Sequence, residues 1–324
     1  MGWRAASVIS GVRQWQLTRL YHPGQDQHRL TGVKRVSLDN CRIAAVQMVS
    51  SADIHYNMAT AERLMVKAAQ QGAKLIVLPE NFAVLDGGPQ ARFAEREGDL
   101  QAPLQGMLSR VARLQGVWIV AGTLPMITRP QQPGAVVTEL TDGRVRPASL
   151  VFNADGVIVA RYDKMHLFDV QVSDKQARYA ESDSFEAGDS PVLVDTIAGR
   201  LGLSICYDIR FPELYRHYFA NRVDLVTVPS AFTRVTGEAH WEVLLRARAI
   251  ENQCYIIGAG QGGVHNERRE TFGHSMIIDP WGRVLDVLER GEGIVIADMD
   301  NDALAAIRQR MPVFEHRRLA TAIE

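Results

Sequence analysis

Apolar residues fall into two alternating rhythms along the chain. Ile43 to Met48 is a continuous run that reads as a buried strand, and Met58, Ala61, Leu64, Met65, Ala68 and Ala69 then recur at three- and four-residue steps. That spacing predicts a helix, with Gly72 placed to end it as a C′ glycine. Leu75 to Leu78 is a second strand. The same order returns with Leu104, Leu108, Val111 and Leu114, then Gly116, then a strand over Val117 to Val120. It returns twice more: Leu214, Tyr215, Tyr218 and Phe219 precede a strand around Leu225 to Val228, and Trp241, Leu244, Leu245 and Ala249 precede Tyr255 to Ile257. Two strand-turn-strand passages stand between these units, one around Asn153 to Gly156 and one around Asp279 to Gly282, both with hairpin-type turn residues. Alternating helices and strands with hairpins predict an α/β fold with a mixed sheet whose strands are covered on both faces. No linker interrupts the pattern, so a single domain is expected over residues 39–324, with the Pro- and Gly-containing stretch Thr128 to Gly134 as a surface loop or insertion.

Residues 1–38 do not share the pattern. Arg4, Arg13, Arg19, Arg29, Lys34 and Arg35 face the single acid Asp26 there, without apolar periodicity. This reads as a basic extension outside the fold, whether a transit peptide, an over-long start or a disordered arm; it lacks the apolar stretch of a secretory signal.

Composition adds limits rather than identity. The 324 residues are 46% hydrophobic, enough for a sizeable core and against intrinsic disorder. With 36 Lys plus Arg against 37 Asp plus Glu, the net charge of -1 gives no field to attract nucleic acid or an anionic membrane surface, so neither is an expected partner. No apolar run reaches the roughly 18 residues of a membrane span. Cys41, Cys206 and Cys254 are odd in number and form no C-x-x-C pair, so a disulfide framework and a metal site are both unexpected, and a reducing, cytoplasmic setting is the natural one.

Three polar groups stand at the ends of apolar strands. Cys206 follows Leu201 to Ile205 and precedes Pro212 and Glu213, which have the character of a first helical turn. A helix N-terminus beside it would favour a thiolate; the alternative is a buried structural thiol. Glu80 follows Leu78 and Pro79, as a surface acid or as a base facing the same crevice. Lys164 ends the strand that starts at Val157, as a solvated charge or as an ammonium in the site. In open α/β sheets sites gather at such ends. An acid, an ammonium and a thiol suit acyl transfer: the acid takes the thiol proton, the sulfur attacks, and the ammonium stabilises the oxyanion.

These stretches resemble the nitrilase superfamily of carbon-nitrogen hydrolases. Its Glu-Lys-Cys triad falls on Glu80 in Leu-Pro-Glu, Lys164 in Asp-Lys-Met-His-Leu-Phe-Asp, and Cys206 in Cys-Tyr-Asp-Ile-Arg-Phe-Pro-Glu, and the likeness runs from about Arg42 to Arg318. Further stretches, among them Pro229 to Phe232, His240 to Ala249 and Gly273 to Met276, resemble the branch that holds deaminated glutathione amidases and ω-amidases. The resemblance implies a four-layer α-β-β-α sandwich forming a homodimer or larger homo-oligomer, with no metal or organic cofactor. It implies a small-molecule amide substrate carrying a carboxylate, with deaminated glutathione ahead of α-ketoglutaramate. Glu80 is then the general base and Cys206 the nucleophile, while Lys164 and the Tyr207 backbone N–H stabilise the oxyanion. Glu181 matches a second, supporting glutamate. Arg210 and Thr236 fall where the branch holds a 2-oxo-acid carboxylate, a role that suits a forked guanidinium, and Phe232 and His166 join the substrate wall. The chain departs from the family over Ala83 to Glu97 and Thr128 to Ser149, both expected near the substrate entrance.

Three rival readings exist. Cys206 could pair with His166, His240 or His274 as in papain-like hydrolases, although satisfied polar side chains are the plainer reading of these histidines. Gly258 to Gly263 fits G-x-G-x-x-G, but the polar stretch Val264 to Gly273 offers no helix to a pyrophosphate. The fold could also serve as a catalytically silent interaction module.

Overall fold

The computed structural model describes residues 40–85, 90–130 and 138–319. The basic extension read over residues 1–38 lies outside them, as do parts of the two divergent stretches, residues 86–89 and 131–137.

The first half of the chain gives β1 (Cys41–Gln47), α1 (Ile54–Gln70), β2 (Leu75–Val77), α2 (Pro103–Gln115), β3 (Trp118–Val120), β4 (Leu124–Met126), β5 (Arg146–Phe152) and β6 (Ile158–Asp163). A small hairpin, β7 (Asp169–Gln171) with β8 (Arg178–Ala180), leads to β9 (Leu193–Thr196), β10 (Gly199–Leu203), α3 (Pro212–Ala220), β11 (Leu225–Ser230), α4 (Arg234–Asn252) and β12 (Tyr255–Gly260). The chain then adds β13 (Ser275–Ile278), β14 (Val284–Leu288), β15 (Gly293–Met299), α5 (Asn301–Arg310) and the short α6 (Val313–His316).

The ends of the helices are set by their sequences. Asp53 caps α1 by accepting from the amides of His55 and Tyr56 at 2.9 and 3.1 Å, and Gly72 follows its end at φ +90°. Pro103 starts α2, whose first amides donate to the buried carboxylate of Glu95 at 2.7 and 3.1 Å. Gly116 ends it in the left-handed conformation. Both hairpin turns form as their residues predict, with Asn153 and Asp279 each accepting two later amides through the side chain.

The strands do not make one mixed sheet. One sheet runs β15-β1-β2-β3-β5-β4 with β6 beside β5, and another runs β14-β13-β12-β11-β10-β9. Alternate residues of β1 to β3 go to different cores. Ile43, Ala45, Leu75, Val77 and Val120 face Leu203, Val228 and Ile257 of the other sheet, whereas Ala44, Val46, Ile76 and Ile119 pack under Leu64, Met65, Leu108 and Val111 of α1 and α2. Tyr218 of α3 lies over Gly202, and Trp241 and Leu245 of α4 lie over Gly258. The result is the four-layer α-β-β-α sandwich implied by the resemblance. Periodicity alone had no means of finding the second sheet, because a strand apolar on both faces looks the same whether its second cover is a helix or another sheet.

Candidate active site

All three strand ends singled out in the sequence converge. Pro79 and Glu80 follow β2, Lys164 follows β6 directly, and Cys206 lies three residues beyond β10. The approach of β2 depends on Gly122, at φ +58°: a Cβ there would stand 2.0 Å from the carbonyl oxygen of Pro79. Glu80 is buried. Its Oε2 accepts from the Ala231 amide at 2.8 Å, which ties the acid from one sheet to the end of β11 in the other. Its Oε1 accepts from Lys164 Nζ at 2.8 Å. Lys164 is wholly buried and donates also to both oxygens of Glu181, at 3.0 and 2.8 Å. Glu181 is oriented in turn by the Phe168 amide, 2.8 Å from Oε2.

Burial opposes the Lys164 ammonium, but the carboxylates of Glu181 and Glu80 outweigh it and hold its pKa well above the ordinary lysine value. Glu181 is raised, chiefly by burial and then by Glu80, against the pull of Lys164. Burial, followed by the Glu80 charge, also pushes the Cys206 thiol well above its ordinary value, although Lys164 and the Ala231 amide act in the opposite sense. Burial thus works against the thiolate that a helix N-terminus would favour. Cys206 opens a 3-10 turn, Cys206–Arg210, ahead of α3, and its burial favours the neutral thiol. Glu80 lines the same cleft as the thiol, and its charge acts on it.

Cys206 holds φ at +47°, uncommon for a residue with a side chain. The turn is held by Asp208, which is fully buried. Its Oδ2 accepts from the Ile205 amide at 2.8 Å and the Tyr162 hydroxyl at 2.7 Å, and its Oδ1 accepts from the His166 amide at 3.1 Å and meets His166 Nδ1 at 2.7 Å. One carboxylate thus fixes the Cys206 turn to the strand end that carries Lys164.

The cleft above Cys206 is lined by Glu80, Glu181, Tyr207, Phe232 and Thr236 among the sequence-predicted residues. Arg210 borders it without lining it: its guanidinium stands 5.9 Å from the Tyr207 ring centre and 5.3 Å from that of Phe232, and Nη1 meets His240 Nδ1 at 3.2 Å. His166 is not in the cleft wall. It stacks on Phe211, ring centres 3.6 Å apart, and serves Asp208, so the structure gives it a positioning place instead of a substrate contact. His240 and His274 are likewise engaged elsewhere, by Arg210 and by the Phe272 carbonyl and ring. The Gly258 to Gly263 segment ends β12, and no helix follows before β13.

Five lining residues escaped the sequence reading: Asn81, Phe168, Ala231, Thr233 and Arg269. Phe168 lay within the lysine motif and Asn81 beside the acid. Arg269 lies in a polar stretch whose lack of period carried no signal. Asp208 also escaped, though it stands inside the cysteine motif. Among the described residues no cluster of three His, Cys, Asp or Glu side chains could hold a metal ion.

Comparison with known proteins gives a consistent answer. The carbon-nitrogen hydrolase family pattern matches residues 42–309. A Yersinia enterocolitica protein named deaminated glutathione amidase is 39% identical, the match covering 88% of this chain and 96% of that one. The crystal structure of the C. elegans NitFhit protein superposes with a TM-score of 0.75 at 36% identity, over 86% of this chain but only 65% of that one. Saccharomyces cerevisiae Nit3, described as a member of branch 10 of the nitrilase superfamily, superposes with a TM-score of 0.74 at 28% identity, over 86% of this chain and 97% of Nit3.

Proposed function

The chain belongs to the carbon-nitrogen hydrolase family, and from that premise we propose that it is an amidase acting on deaminated glutathione through a Cys206 acyl-enzyme. Membership makes it a hydrolase of carbon-nitrogen bonds other than peptide bonds. The observation that carries the mechanism is the meeting of Glu80, Glu181 and Cys206 in one cleft, with the wholly buried Lys164 ammonium between the two carboxylates.

Glu80 takes the thiol proton as Sγ bonds to the amide carbonyl carbon, and the carbonyl electron pair moves onto oxygen. Lys164 Nζ and the Tyr207 backbone N–H stabilise that oxyanion. As it collapses, the carbon-nitrogen bond breaks and the amine departs with the proton held by Glu80. Water then attacks the thioester, Glu80 takes its proton, and the acid is released as the sulfur regains a proton. Glu181 keeps Lys164 charged and placed. Thr236 in the cleft and Arg210 at its border hold the 2-oxo-acid carboxylate.

We also propose a homo-oligomer in a reducing, cytoplasmic setting. Val235, Val243 and Ile250 recur along α4 and are all exposed, which suits pairing through helices; sedimentation should then show at least a dimer, and a monomer would remove this reading. The three cysteines are free thiols, and no helix among the described residues is long and apolar enough to cross a membrane.

The deciding experiment measures amine or ammonia release from deaminated glutathione, α-ketoglutaramate, glutamine and a simple nitrile, with Cys206→Ala as blank. Preference for deaminated glutathione is expected. Preference for α-ketoglutaramate would make the protein an ω-amidase, and silence on all four would overturn the proposed substrate. A Cys206→Ala protein that keeps substantial turnover would overturn the mechanism.

A further inference from the structure

Arg269, in the segment between β12 and β13, is only 8% exposed. Its Nη2 donates to the Ala231 carbonyl at 2.7 Å, and its guanidinium carbon stands 4.8 Å from the Tyr179 ring centre. Its Nη1 is buried and meets no partner at hydrogen-bond geometry among the described residues, although the Tyr179 hydroxyl interacts with the guanidinium. A buried guanidinium nitrogen left unpaired is rare in folded proteins and calls for a reason. The nearby carboxylates do not supply its partner. Asp174 accepts from the Tyr179 hydroxyl at 2.7 Å, and Glu270 pairs with Arg290 at 2.8 Å and with Arg234 at 3.8 Å.

The place of Arg269 gives the reason. It lines the cleft that holds Cys206 and also an outer cleft where Lys175, Arg234 and Arg268 stand beside Asp174, Glu267 and Glu270. Arg269 is thus shared between the two clefts, where a substrate bonded at Cys206 and extending from the first into the second would meet it. On the reading above, Arg210 and Thr236 hold the carboxylate of the acyl half. Deaminated glutathione carries a second carboxylate, at the far end of the half that departs as the amine.

We propose that Arg269 holds the carboxylate of the departing half, and so selects amides whose leaving group ends in an anion. This rests on the amidase reading of the same cleft. A charged hydrogen bond in a buried setting should set selectivity of about tenfold to a hundredfold between the free acid and its neutral carboxamide.

The test uses the full-length protein and two substrates, deaminated glutathione and the same compound with its departing-half carboxylate converted to a carboxamide. Wild type should show a KM for the carboxamide at least about tenfold higher, and Arg269→Gln should bring the ratio of the two KM values close to one. Because Arg269 also supports Ala231, and through it Glu80, a purely structural role would lower kcat on both substrates and leave the ratio standing. That result, or an unchanged ratio, overturns the proposal. So does a loss of selectivity confined to the acyl-half carboxylate, read with a third substrate amidated there. Calorimetry with Cys206→Ala and Cys206→Ala/Arg269→Gln separates this claim from the amidase reading. Preference for the free acid that depends on Arg269 supports the site even if turnover of deaminated glutathione fails, and binding of neither compound overturns both readings.

Discussion

Asp163 and Lys164 are consecutive, and each sits in a buried charged cluster, yet the two clusters differ in kind. Around Asp163 the guanidinium groups of Arg129, Arg144, Arg146 and Arg161 meet the carboxylates of Asp142, Asp163, Glu186 and Glu97, four against four. Around Lys164 one ammonium meets two carboxylates, with a thiol alongside. The first cluster is balanced and contains no nucleophile. The second has one acid more than its cation neutralises, so a carboxyl is raised and a proton is available to move. On the proposed mechanism, charge balance separates a structural ion network from a reactive one.

The sharpest way to break the comparison removes one cation from each side. Lys164→Met leaves two buried carboxylates facing each other and takes away the oxyanion donor, so kcat should fall by about 10²- to 10³-fold or more. Arg146→Met leaves Asp163 and Glu186 short of a partner, and stability should fall by about 3–5 kcal/mol, while kcat of the protein that remains folded stays within a few-fold of wild type. Urea unfolding and active-site-normalised rates measure both. Equal losses of kcat would show that the balanced network also takes part in the chemistry.

Acid separates the clusters next. Hydrogen bonds from Arg129, then from Arg146, hold the Glu186 carboxyl down to about 2 from 4.5. A group lowered on folding contributes stability that is present above its unfolded value and lost as pH falls through the folded one. The loss here should run from about pH 4.5 down to about 2 and reach at most about 3 kcal/mol. In stability measured against pH, Glu186→Gln should flatten that limb. A limb of unchanged depth would assign acid sensitivity elsewhere.

Within the reactive cluster, Glu181→Gln removes the excess acid but keeps a hydrogen-bonding group near Lys164 Nζ. Turnover should fall by about 10- to 100-fold, less than for Lys164→Met, because Glu80 still pairs with the ammonium. A loss as large as that of Lys164→Met would mean that Glu181 itself exchanges the proton.

Much of this arrangement was legible in the sequence, for identifiable reasons. Strands that run straight into Glu80, Lys164 and Cys206 announce where chemistry gathers, and the helices announce themselves through period and caps. The second sheet was not legible from period, because two-sided apolar strands do not say what covers them. The depth at which Cys206 is buried was not legible either, since a helix start is written in the sequence while burial is a property of the packed cleft. Arg269 and Asp208 show the same limit from the side of the polar residues. What distinguishes them is a partner missing or a partner shared across distant segments, and neither leaves a local pattern.

The smallest expected effect belongs to His166, two residues beyond Lys164, and it tests whether reactivity is confined to the unbalanced cluster. Its ring meets Asp208 Oδ1 at 2.7 Å and stacks on Phe211. If His166 only steadies Asp208, His166→Asn leaves Asp208 bonded to the Ile205 amide and the Tyr162 hydroxyl, so the Cys206 turn stays closed. The rate should then drop less than about tenfold, with the pH profile of kcat/KM keeping its shape. A base for the thiol behaves otherwise: its removal costs orders of magnitude and deletes a limb of the profile. Such a loss in His166→Asn would transfer the proton from Glu80 to a histidine, and the acid-rich cluster around Lys164 would become a scaffold like its balanced neighbour.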